Sequence, residues 1–172
     1  DVWQNTGMFQ LDEELNPKKV AGVPPDAFSD LGQRWGNPLY DWDKMEADDF
    51  SWWRKRMEHS AKIYDVIRID HFIGTVKYYA IPAEDSDARN GQWQKGPGLK
   101  LINAINESIG DKHIIVEDLG IKMPEVVEVL EKSGYPGMKV LEFAFDGNRR
   151  NDHLPYNWVP NTVAYGGTHD ND

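Results

Sequence analysis

Cysteine is absent from the 172 residues, which excludes a disulfide framework, a thiolate metal site and a cysteine nucleophile. Long apolar runs are missing as well, and no stretch approaches the roughly 20 residues a bilayer-spanning helix needs. The first residues, Asp1-Val2-Trp3-Gln4-Asn5, carry neither a basic leader nor an apolar core, so no secretory signal is visible. Positive charge is scarce, with 19 Lys and Arg against 29 Asp and Glu and a formal net charge of −10. A surface that negative repels phosphate backbones and anionic lipid, so neither a nucleic-acid nor a membrane partner is expected. A cytoplasmic protein fits these absences best.

What is present supports a packed protein. The length suits one domain, and 40% hydrophobic residues can bury a core. Seven Trp, seven Tyr and six Phe make up 12% of the chain. Many of them, such as Phe28, Trp35, Tyr40, Trp42, Trp93, Tyr156 and Trp158, sit in polar, Gly- and Pro-rich stretches. Flat rings beside carboxylates and amides suit the faces and hydroxyl edges of a sugar. The competing reading is that they anchor loops into a core.

Residues 1–43 read as irregular. A helix is predicted from Asp43, as N-cap, to about Lys62, with Met45, Phe50, Trp53, Met57, Ala61 and Tyr64 forming one stripe. Short β-branched runs predict strands at 66–70, 113–117, 138–145 and 162–165. Helices are predicted at about 98–109, carrying Leu101, Ile102, Ile105 and Ile109, and from Pro124 to Gly134, carrying Val126, Val127 and Leu130. Long loops fill 71–97 and 146–161.

Strand–helix–strand alternation signals parallel βαβ units and an α/β fold. An open doubly wound sheet and a closed (β/α) barrel compete. No Gly-x-Gly-x-x-Gly follows a strand, whereas an acidic residue stands at or just past three strand ends: Asp70, Glu117 and Asp170. In barrels those ends form the active-site face, so the barrel is favoured.

Arg68 and Asp70 are two apart in a strand and point to one side, which in a barrel is the interior. The guanidinium there would keep Asp70 ionised, as a carboxylate nucleophile requires; a structural ion pair explains the pairing equally well. Glu117 occupies the equivalent place one strand later and lacks such a neighbour. Two converging carboxylates should leave one protonated, and an ionised nucleophile with a protonated acid about 5 Å away is what a retaining glycosidase uses. The pair His169-Asp170 after two glycines is weaker and could bind metal, cap a helix or do nothing.

Six strings in series extend the pattern: residues 21–26 (AGVPPD), 32–40 (GQRWGNPLY), 66–72 (VIRIDHF), 115–120 (IVEDLG), 134–141 (GYPGMKVL) and 167–172 (GTHDND). Together they resemble the 4-α-glucanotransferases, or amylomaltases, across nearly the whole chain. The resemblance implies a (β/α)8 TIM barrel, of which 1–172 would be a part of one catalytic domain, approximately strands four to seven. It implies Asp70 as nucleophile, Glu117 as acid/base and Asp170 as transition-state stabiliser. Arg68 and His169 would contact the sugar in the cleaved subsite, with His71 close by. Residues 21–40 would form an acceptor-side loop, mobile from Asp26 to Trp35, with Phe28 and Trp35 touching glucose rings. The implied substrates are α-1,4-glucans and maltooligosaccharides, with glucose as an acceptor and no cofactor. Ala27 and Gly166 depart from the family's usual Tyr and Thr.

Family members are several hundred residues long, so these 172 residues expressed alone are expected to be poorly folded and inactive, with strand edges unpaired. The rival readings are an α-glucan hydrolase, a non-catalytic glucan-binding piece and a metal-dependent hydrolase. The five histidines show no ligand spacing of the His-x-x-x-His kind, which disfavours the last.

Overall fold

The computed structural model describes residues 1–26 and 29–169. Two kinds of sheet share the chain. Strands β1 (Lys19–Val23) and β2 (Gln33–Pro38) come first, then helices α1 (Trp42–Ala47) and α2 (Ser51–Ile63). Strand β3 (Val66–Ile69), the short helix α3 (Ile73–Val76) and strands β4 (Lys77–Pro82) and β5 (Gln92–Lys95) follow. Helix α4 (Leu99–Ile109), strand β6 (His113–Val116), helix α5 (Pro124–Ser133) and strands β7 (Gly137–Val140) and β8 (Thr162–Tyr165) complete the described chain. Four strands form an antiparallel sheet in the order β2-β1-β4-β5, while β3 pairs with β6 and β7 with β8, both in parallel. The fold class is α/β, as expected.

The parallel strands and their helices hold the main core. Ile69, Ile114 and Val116 pack with Leu101, Ile102 and Ile105 of α4 and with Val126 of α5. All four apolar residues predicted for α4 are buried, and Val126 is buried while Val127 is exposed. Pro124 opens α5, and Gly134 closes it in the left-handed conformation at φ 70°, which costs glycine little. A smaller core of Val20, Tyr79, Ile81 and Ala88 lies under the antiparallel sheet.

Four local expectations need correction. The stretches read as irregular at 1–43 and as a loop at 71–97 contain the four antiparallel strands; each strand is short, and the pairing of β1 on β4 that joins the β1–β2 and β4–β5 pairs spans a long stretch of chain, so local pattern hides the sheet. Much of 21–40, read as an acceptor-side loop, is accordingly strand β1, β2 and their connection. The helix from Asp43 is two helices. Asp41 caps α1 by accepting from the Lys44 N–H, and the chain breaks at Asp49 and Phe50, at φ 57° and 53°. Phe50 is thereby driven into the core at 3% exposure, and Asp48 accepts from the backbone N–H and hydroxyl of Ser51 to start α2. Finally, the strand read at 138–145 ends at Val140, and Leu141–Ala144 turns as a 3-10 helix.

Between β6 and β7 a side chain replaces backbone. The Val116 N–H donates to the Pro136 carbonyl at 3.1 Å, but two residues on, the Met138 N–H donates to Asp118 Oδ1 at 2.7 Å. A β-carbon at Gly137 would lie 2.7 Å from Asp118 Oδ2, so only glycine leaves the carboxylate its place. His153 acts likewise, accepting the Val140 N–H on Nδ1 at 3.0 Å. Among the described residues no helix is long and apolar enough to cross a membrane.

Candidate active site

The register of β3 on β6 settles the first geometric question. Arg68 lies opposite Ile115 and Ile69 opposite Val116, so Asp70 and Glu117, one step further, project to the same face. The ladder continues past the strand ends: the Glu117 N–H donates to the Ile69 carbonyl at 2.9 Å, and the Phe72 N–H to the Glu117 carbonyl at 2.8 Å. Ile69, Ile114 and Val116 take the opposite face and are buried against the helices, which fixes the carboxylate face by exclusion.

Arg68 and Asp70 form the expected pair, Nη2 to Oδ1 at 2.7 Å. They are not buried, however: the Asp70 side chain is 77% exposed and that of Arg68 35%. The described chain leaves most of the Asp70 side chain open while partly covering Arg68 and Glu117 on the same face. As an exposed ion pair it contributes little to stability, at most about 1 kcal/mol, so what it fixes is orientation.

Glu117 is partly buried and doubly held. Its Oε2 accepts from the His71 N–H at 2.9 Å and its Oε1 from the Leu119 N–H at 2.6 Å. Burial pushes its carboxyl above the usual carboxylate range, and the negative charge of Asp70 adds to that; the two N–H donors and the Arg68 guanidinium pull the other way. The order of causes differs from the expectation, in which the converging charges did the raising; burial is first here. His71 shifts downward because burial disfavours its cation, with Asp70 opposing.

Asp70, His71, Arg68 and Trp35 line one open cavity of about 910 Å³. Glu117 does not line it and is joined to it through the His71 N–H. The Trp35 indole meets the His71 ring edge-on, with centroids 4.8 Å apart and planes at 83°. Asp26 accepts the Ser29 N–H on Oδ1 at 2.9 Å, a local turn bond. His169 is exposed on the segment after β8, and that segment is tied to the 3-10 turn after β7 by the Glu142 N–H donating to the Gly166 carbonyl. Phe28 and Asp170 lie outside the described residues.

Sequence reasoning missed the Leu119 N–H, the left-handed backbone of His71 (φ 50°) and Gly74, where a β-carbon would lie 2.9 Å from His71 Cδ2. Only the glycine three residues after His71 hinted at crowding there. The aromatics mostly follow the core reading. Tyr40, Trp42 and Trp53 pack together against the main core, Trp93 packs on Tyr79, and the Trp158 indole donates to the His153 carbonyl. Trp35, at 44% exposure, stays available at the cavity.

Across residues 1–172 the sequence matches the family described as 4-alpha-glucanotransferase. The chain belongs to that family. It is 51% identical to the 4-alpha-glucanotransferase of Clostridium butyricum, over all of this chain and 36% of that protein. It is 49% identical to that of Thermus thermophilus, over all of this chain and 35% of that protein. Among solved structures, the amylomaltase of Streptococcus agalactiae in complex with acarbose superposes with a TM-score of 0.94 at 44% identity, over 99% of this chain and 34% of that one. The chain thus spans about a third of the length of these family members.

Proposed function

We propose that the whole protein is a retaining 4-α-glucanotransferase, moving a 4-α-glucanosyl segment from one α-1,4-glucan to another glucan or to glucose. The observation that carries this is the placing of Asp70 and Glu117 on one face of adjacent strands, with Glu117 pushed upward by burial. Membership of the family supports it. In this reading the four parallel strands are strands four to seven of a (β/α)8 barrel, and 1–172 is part of its catalytic domain.

Glu117 gives its proton to the glycosidic oxygen as Asp70 attacks the anomeric carbon, forming a glucosyl-enzyme and releasing the shortened glucan. Glu117, now a carboxylate, takes the proton of an acceptor hydroxyl, whose oxygen displaces Asp70 with net retention. Asp170 stabilises the positive charge developing on the sugar. Arg68 and His169 hold the ring being transferred, while Asp26, Phe28 and Trp35 bind on the acceptor side and the rings of Phe28 and Trp35 limit water's access during the second step.

Maltotriose is the test substrate. The whole protein should convert it to glucose plus longer maltooligosaccharides with no net rise in reducing ends. Reducing ends that rise without longer products would make it a hydrolase instead. Acarbose, bound by the Streptococcus agalactiae amylomaltase, is expected to inhibit the transfer.

A further inference from the structure

His71 is under three constraints at once. Its backbone is left-handed at φ 50°, a region that side chains with a β-carbon adopt when surrounding contacts demand it. Its N–H donates to Glu117 Oε2 at 2.9 Å, and its carbonyl accepts the Gly74 N–H at 2.9 Å. Its ring lies between the Trp35 indole, 4.8 Å away by centroids, and Gly74, where a β-carbon would crowd Cδ2 at 2.9 Å. Contact with a sugar hydroxyl needs no such backbone. The left-handed turn accomplishes something else: it aims the N–H at one candidate catalytic carboxyl while seating the imidazole against an aromatic of another sheet.

We infer that His71 is a positioning residue that links Trp35 on strand β2 to the orientation of the Glu117 carboxyl. The inference rests on the reading of Glu117 as acid/base and of Trp35 as an acceptor-side ring. Trp35 stands on β2, which among the described residues is an edge strand paired with β1 alone, and in this inference it shifts when a sugar ring stacks on it. The imidazole would carry that shift to the peptide N–H beneath. The charged groups facing Glu117 are Arg68 of β3 and Asp70 just past its end. His71 is the described residue that meets both sides.

The test uses His71→Gly and His71→Asn in the whole protein. Both residues tolerate the left-handed backbone, so the N–H stays and only the imidazole is lost. With maltotriose as donor, kcat for transfer should fall roughly 10- to 100-fold with the donor KM nearly unchanged. The alkaline limb of the pH profile, set by Glu117, should move. Trp35→Ala should move it the same way, and the double variant should be no worse than the more damaging single one. Should His71→Gly fail to fold, Gly74→Ala perturbs the ring with His71 intact and should shift the same limb. Additive losses, or a raised KM with the limb in place, would make His71 a plain sugar contact and end the inference. A wild-type protein that makes no longer glucans would instead remove the transferase reading itself.

Discussion

Replacing Asp70 by Asn in the whole protein is expected to lower transfer from maltotriose by about four to six orders of magnitude. The amide is nearly isosteric but cannot attack an anomeric carbon at a useful rate. The site makes this an unusually clean experiment. The Asp70 side chain is 77% exposed and its one described side-chain partner is Arg68 at 2.7 Å. An amide oxygen can still accept from that guanidinium, so packing and unfolding temperature should hardly change. Loss of rate with an unchanged unfolding temperature assigns chemistry to Asp70. Activity within tenfold of wild type would move the nucleophile elsewhere.

Glu117→Gln is expected to reduce transfer between maltooligosaccharides by about 10²- to 10⁴-fold, and the loss should depend on the leaving group. The fluoride of a maltosyl fluoride departs without a proton, so the maltosyl-enzyme should still form. The sign of the pH dependence follows from the upward shift of Glu117 by burial. The first step requires the protonated acid, so wild-type activity persists above the usual carboxylate range and declines as pH rises through the raised value. The glutamine variant should lack that decline. It should also be less stable, because Glu117 accepts N–H donors on both oxygens and the amide keeps only one acceptor. A penalty of about 1–3 kcal/mol is expected for the N–H left over. Equal losses on natural and fluoride donors would argue against an acid role.

Much of this site could be read from residue order, and the reasons are local. Val66 to Asp70 and His113 to Glu117 are short β-branched runs ending in an acid, and a parallel register of equal-length strands brings such ends together. Helix α4 was legible because its apolar residues recur at helical spacing, and α5 because Pro124 and Gly134 mark its ends. The antiparallel sheet was not legible, since β1 finds β4 only after α1, α2 and β3 have intervened. The break at Asp49 and Phe50 was hidden because an unbroken helix explains the same apolar stripe; the burial of Phe50 overrides it. Interior burial of Asp70 was inferred from barrel geometry, and in the described chain its side chain is largely open. The raised state of Glu117 was anticipated, but burial leads among its causes. The grip of His71 and Leu119 on Glu117 comes from backbone N–H groups, about which side-chain identities are silent.

The antiparallel sheet draws half its strands from before Asp70 and half from after it, with Lys19 paired to Pro82 across the whole segment that carries Asp70. The sheet proposed to form the acceptor side is therefore not a cassette. An engineer wishing to exchange it must make two grafts that flank Asp70, and must match them to each other before either has a partner. During folding, too, the large loop closed by β1 on β4 already contains strand β3, so closing it is costly until β3 has found β6. The sheet that carries Trp35 and the strand that ends at Asp70 are thus one folding commitment rather than two.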